Sequence, residues 1–233
     1  DPDAQCSDPQ SVREVQAELD LLVLEVVRPV MIGRSHAQQA LARRGNEIIR
    51  HSDDALASAS DFDKPNVVLF IHGFTADASY LRRLMDQFAG AGFHPLAFNY
   101  ACFDGIDVAA ESLAGLLSDL DEIGDGAVTR NRVILVCHSM GGLVGRAFIT
   151  LEGGDKYARK LITLGTPHDG TLTDPKLIEY MLAWGESVSG LMQGGFSVKA
   201  RSAQQLIGRD AGKLLNRLRS CGAPTHAVQF HSI

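Results

Sequence analysis

Apolar residues arrive along this chain in two rhythms. From Pro65 onward, short unbroken apolar runs alternate with longer stretches in which apolar positions recur every three or four residues. The first rhythm marks a strand buried on both faces, the second an amphipathic helix. Strands are predicted over Val67–Ile71, His94–Tyr100, Arg132–Cys137, Leu161–Leu164 and His226–Ile233. Helices are predicted over Ala78–Ala91, closed by Gly90 and Gly92, over Val108–Ile123, and over about Met140 to Thr150. Strand and helix taking turns imply a mostly parallel sheet covered by helices on both faces, a three-layer α/β fold.

Two regions break the alternation. Residues 1–60 show helical periodicity over Val12–Val27 and Ala37–Ile49, then a soft Asp/Ser/Ala stretch. They are expected to form an N-terminal helical appendage to a main domain over residues 61–233. Between Gly170 and Ala223, Leu177, Ile178, Met181, Leu182 and Trp184 share one helical face, and Gly185, Gly190, Gly194 and Gly195 punctuate the next stretch. A movable apolar lid within residues 170–223 and an ordinary crossover helix both fit this pattern.

The most informative stretch is Val133 to Val144. An apolar β-branched run enters, Ser139 stands at a corner, and Met140-Gly141-Gly142 leads into a helix. Strand and helix crowd together at such a corner, so small residues must flank the serine. Gly141 fills the second glycine place of the pattern G-x-S-x-G, while Cys137 stands in the first. A buried strand ending in a polar turn would share part of this signature. The incoming strand and the Gly-Gly pair favour a serine nucleophile. Upstream, the buried run ending at Ile71 is followed at once by His72-Gly73-Phe74-Thr75, with Gly73 permitting close backbone approach. His72 reads as a residue that holds its loop by hydrogen bonds. A third segment, Lys160 to Thr171, carries Gly165-Thr166-Pro167-His168-Asp169 after a strand. His168 and Asp169 read as structural residues there.

These three segments together resemble the bacterial lipase and esterase branch of the α/β-hydrolase family, over about Val67 to Ile233. The resemblance implies an α/β-hydrolase catalytic domain over residues 61–233 and carboxylic ester hydrolysis through an acyl-enzyme on Ser139. The oxyanion would be met by the backbone N–H groups of Phe74 and Met140. It also implies an acid and a histidine after the serine, in that order. His168, His226 and His231 are the histidines available, and none is assigned as the base. The strand over His226–Ile233 looks like the one that delivers the acid, so the sequence is expected to be truncated at its C-terminus, with acid and histidine beyond Ile233. A thioesterase or acyltransferase would use the same turn. The rival from another class is a non-catalytic binding module on the same scaffold.

Composition narrows the picture further. At 233 residues and 45% apolar content the chain can bury a sizeable core. A net charge of −6 without a basic block argues against nucleic acid and against a polybasic membrane patch. Leu19–Ile32 contains Glu25, Arg28 and Pro29, too short and too charged for a transmembrane segment. Cys6, Cys102, Cys137 and Cys221 lack metal-ligand spacing. The expected partner is therefore a small-molecule or lipid ester, with contact at a lipid interface within reach. Neither metal nor organic cofactor is called for, and nothing in the pattern assigns a compartment.

Overall fold

The structure, a computed structural model, describes residues 45–74, 76–170, 201–207, 209–222 and 224–233. These build a six-stranded sheet. Its strands are β1 (Glu47–Arg50), β2 (Val67–Ile71), β3 (His94–Asn99), β4 (Val133–His138), β5 (Ala158–Leu164) and β6 (Gln229–Ser232), in the order β1-β3-β2-β4-β5-β6. Every neighbouring pair is parallel except β1 with β3. The helices are α1 (Arg82–Gly90), α2 (Ile106–Ile123), α3 (Ala127–Asn131), α4 (Met140–Leu151), α5 (Arg201–Ile207) and α6 (Arg209–Ser220).

Alternation along the central strands divides the core in two. Leu69, Ile71, Leu96, Phe98, Leu135 and Cys137 face one layer, with Leu113 and Leu117 of α2, Leu143 and Phe148 of α4, and Leu214, Leu215 and Leu218 of α6. Val68, Phe70, Ala97 and Val136 face the other, under Leu81 and Met85. Period-two strands buried on both sides need apolar residues at every position, which is why β2 reads VVLFI and is wholly buried.

Several boundaries differ from the expected ones. The helix expected over Ala37–Ile49 is replaced at its end by β1, whose Ile48 lies opposite Phe98 of β3 and is 4% exposed. β1 gives the backbone of β3 a partner on its outer edge and brings part of residues 1–60 into the sheet. The helix expected at Ala78 opens instead as a 3₁₀ turn, Ala78–Leu81, because the Asp77 carboxylate accepts from the Ser79 N–H at 2.9 Å. β6 begins three residues later than expected. His226 is drawn aside by Asp155, which accepts from its backbone N–H at 2.8 Å. The expected helix over Val12–Val27 and the apolar face from Leu177 to Trp184 lie outside the described residues.

The order of strands places a reversal between β2 and β4. β3 lies to one side of β2, and the chain then returns to the other side for β4. Crevices at the carboxyl ends of strands open at such a point. His72–Phe74 and Ser139 both come directly after those two strand ends.

Candidate active site

Ser139 stands where β4 passes into α4, with φ 52° and ψ −123°. A residue with a Cβ reaches this region only under strain, so the surroundings must hold it there. They do so from several directions. The Ser139 N–H donates to the Leu164 carbonyl at 2.9 Å, extending the β4–β5 ladder past the end of the strand. The Ser139 carbonyl accepts from the Thr166 hydroxyl at 2.9 Å and the Gly142 N–H at 3.0 Å. The serine itself is half-buried.

The glycines after it are demanded by contact. A Cβ on Gly141 would lie 2.5 Å from the carbonyl oxygens of Ile71 and His72, and one on Gly142 would overlap the Thr166 side chain. Cys137 in the first glycine place is tolerated for a related reason. Its sulfur sits 3.0 Å from where a Cβ on Gly145 would stand, so the bare glycine one turn into α4 makes the room. Burial pushes the Cys137 thiol far up, which leaves it neutral and unreactive.

The loop after β2 lies against this turn. A Cβ on Gly73 would come within 3.1 Å of the Ser139 Cβ and 3.2 Å of the His138 Nδ1. Phe74 is half-buried and meets Phe103 edge to face, with ring centroids 5.4 Å apart. Met140 is 1% exposed and opens α4, so its N–H has no acceptor within the helix. Among the described residues, no backbone carbonyl accepts from the Phe74 N–H.

His72 is fully buried beside Tyr100, the rings stacked at 4.2 Å. Its Nδ1 lies 3.0 Å from the Gly73 carbonyl oxygen, and its Nε2 accepts from the Tyr100 N–H at 3.3 Å. Burial lowers its pKa to about 4, against the opposing pull of the Gly73 hydrogen bond and the Asp77 charge. The imidazole is therefore neutral near pH 7 and engaged on both nitrogens.

The other histidines are spread over the fold. His138 precedes Ser139 on β4, with its ring 5.1 Å from that of Tyr80, and desolvation lowers its pKa. His168 Nε2 is 3.0 Å from the Thr163 hydroxyl, and burial followed by the Arg146 charge lowers its pKa. Asp169 forms its ion pair with Arg219 at 2.7 Å. His226 faces Asp155 before β5, at the sheet edge opposite Ser139, and His231 is exposed on β6. Thr166 bonds the Ser139 carbonyl and Tyr100 the His72 carbonyl at this candidate site. Thr166 carried a signal in the Gly-Thr-Pro-His run, whereas Tyr100 is one residue of an apolar strand pattern. Among the described residues there is no group of three or more His, Cys, Asp or Glu side chains able to hold a metal ion, and no helix long and apolar enough to cross a membrane.

The model of the alpha/beta hydrolase family matches residues 68–229, and the chain belongs to that family. Among solved structures, a Bacillus licheniformis lipase in mature form is 20% identical, with TM-score 0.52, covering 68% of this chain and 61% of that one. The propeptide form of that lipase is 21% identical, with TM-score 0.52, covering 68% of this chain and 33% of that one. A Bacillus megaterium epoxide hydrolase is 20% identical, with TM-score 0.41, covering 69% and 63%. The chain thus spans about three fifths of the mature lipase it matches, and at these identities the likeness is one of fold. No curated protein matches the sequence.

Proposed function

We propose that this protein is a serine hydrolase of carboxylic esters, of lipase or esterase type. The observation that carries the proposal is the strained backbone of Ser139 pressed against the Gly73 loop at the reversal of strand order. In the proposed reaction the Ser139 Oγ attacks the ester carbonyl carbon and gives its proton to a general base. The N–H groups of Phe74 and Met140 receive the charge that develops on the carbonyl oxygen. The carbonyl re-forms as the alcohol leaves with that proton, and water then releases the acid from the acyl-enzyme. The Phe74–Phe103 pair beside the turn supports an ester with an apolar acyl group, and a lipid interface as one place to meet it. The reaction as written needs neither metal nor organic cofactor.

No histidine among the described residues is proposed as the general base. His72, His168 and His226 each have a ring nitrogen held by another group, and His231 sits on the exposed edge strand. That dispersal is also what a non-catalytic module on this scaffold would have, and activity separates the two readings. The full-length protein should hydrolyse p-nitrophenyl esters, with kcat/KM at least about 10³-fold lower in Ser139→Ala. A folded full-length protein without turnover of short or long acyl esters would retire the esterase reading.

A further inference from the structure

The loop after β2 and the end of β3 meet behind Gly73, and their hydrogen bonds can be read in one way only. The Gly73 carbonyl can only accept and the Tyr100 N–H can only donate. The His72 ring between them must therefore carry its proton on Nδ1, which donates to Gly73, and leave Nε2 bare for Tyr100. The Tyr100 hydroxyl, itself fully buried, donates to the His72 carbonyl at 2.8 Å, and the stacked rings fix the imidazole plane.

The Gly73 carbonyl belongs to the same peptide plane as the Phe74 N–H. No peptide bond among the described residues is cis, and in a trans peptide the C=O and N–H point in opposite directions. Drawing the carbonyl toward the ring thus turns the Phe74 N–H the other way. The Ala76 N–H also donates to that carbonyl, at 3.3 Å, and closes the turn on the same side of the peptide. We infer that His72, oriented by Tyr100, is a positioning residue that aims the Phe74 N–H at the oxyanion. The aim matters to catalysis only under the ester-hydrolase proposal above. The hold of the ring on the peptide does not depend on it.

Two measurements on the full-length protein test this. The first is the ¹⁵N shift pair of the His72 ring at pH 7, which should show the neutral Nδ1–H form. A neutral ring protonated on Nε2 would overturn the inference whatever the activity. The second is the rate of fluorophosphonate labelling of Ser139 in His72→Asn, His72→Gln and Tyr100→Phe, each set beside its thermal midpoint. The Asn amide nitrogen can stand where Nδ1 does and donate to Gly73; the longer Gln places its amide near Nε2 instead. Labelling should stay within about tenfold of wild type in His72→Asn and fall about 10²-fold in His72→Gln, the loss typical of one oxyanion donor. Tyr100→Phe should lie between them. Equal losses in the Asn and Gln variants that track their midpoints would mean a merely structural role and overturn the inference. Equal labelling of wild type and Ser139→Ala would instead sink the hydrolase proposal, leaving the ring shifts to decide the hold on Gly73.

Discussion

Ser139 holds a backbone conformation that suits glycine, and under the proposed function the fold bears that strain to present the side chain. Replacing it shows the exchange directly. Ser139→Gly should raise stability by about 1 kcal/mol, a shift of roughly 3 °C in Tm, while ester turnover disappears. A Tm that stays level or falls would mean that the turn is not strained. The glycine two places on carries the opposite expectation. Gly141→Ala should cost about 3 kcal/mol in denaturant unfolding, because its methyl would press on two carbonyl oxygens that cannot retreat without disrupting the end of β2. At this scale the sequence is informative wherever steric need selects the residue: Ser139, Gly141 and Gly73 are legible from type and spacing. Tyr100 is not. Its hydroxyl and amide act on His72 from another strand, and nothing in its local pattern distinguishes it from a core tyrosine. Thr166 is visible in a run of turn residues, but its bond to the Ser139 carbonyl is a long-range contact.

Among elements, the strands buried on both faces are legible because continuous apolar runs of that length have few other solutions. β1 is not, since Ile48 and Ile49, neighbours facing opposite layers, also fit the tail of a helical repeat. α6 is hidden too, although Leu214, Leu215 and Leu218 mark one face of it; the apolar face and glycines before it fit a lid and a crossover helix alike. Arg132 is one of the side chains that anchor the edge strand β6. The carbonyls of Asp155, Ala158 and Ala227 lie 2.8, 2.7 and 2.9 Å from the Arg132 Nη2 and share its two N–H bonds, tying the start of β5 to the chain entering β6. Arg132→Met should cost about 2–3 kcal/mol by leaving those acceptors short of a donor. It should also raise amide hydrogen exchange over residues 229–232 before the rest of the sheet. Unchanged exchange there would show that β6 holds without Arg132.

For the molecule as a whole, three buried groups contribute to how stability answers to pH. His72 has its pKa lowered to about 4 by burial, against an ordinary value of 6.5. Between those values the unfolded chain binds a proton that the folded chain does not, so stability falls as pH drops from 6.5 to 4, by up to about 3 kcal/mol. Asp61 and Asp155 extend the decline. Burial works against their ionisation but is outweighed, by Ser58 and His94 around Asp61 and by His226 around Asp155, and both carboxyls are held below the usual range. Their contribution is present above the unfolded pKa near 3.8 and is lost as pH falls through the lower folded values. Urea midpoints measured from pH 7 to 3 should therefore decline in two stages, and His72→Gln should flatten the upper one. A flat response above pH 4 would contradict the buried neutral imidazole. The architecture that brings these groups together is legible in outline from the alternation of strands and helices. Their partners are not, since Tyr100, His94 and His226 reach His72, Asp61 and Asp155 from distant parts of the chain. The central claim, a nucleophile at residue 139, is tested most directly by where a fluorophosphonate attaches to the native full-length protein, read by peptide mass spectrometry. A single adduct on Ser139 is expected, absent after heat unfolding and in Ser139→Ala. An adduct on another residue, or none on a folded protein, would contradict that claim.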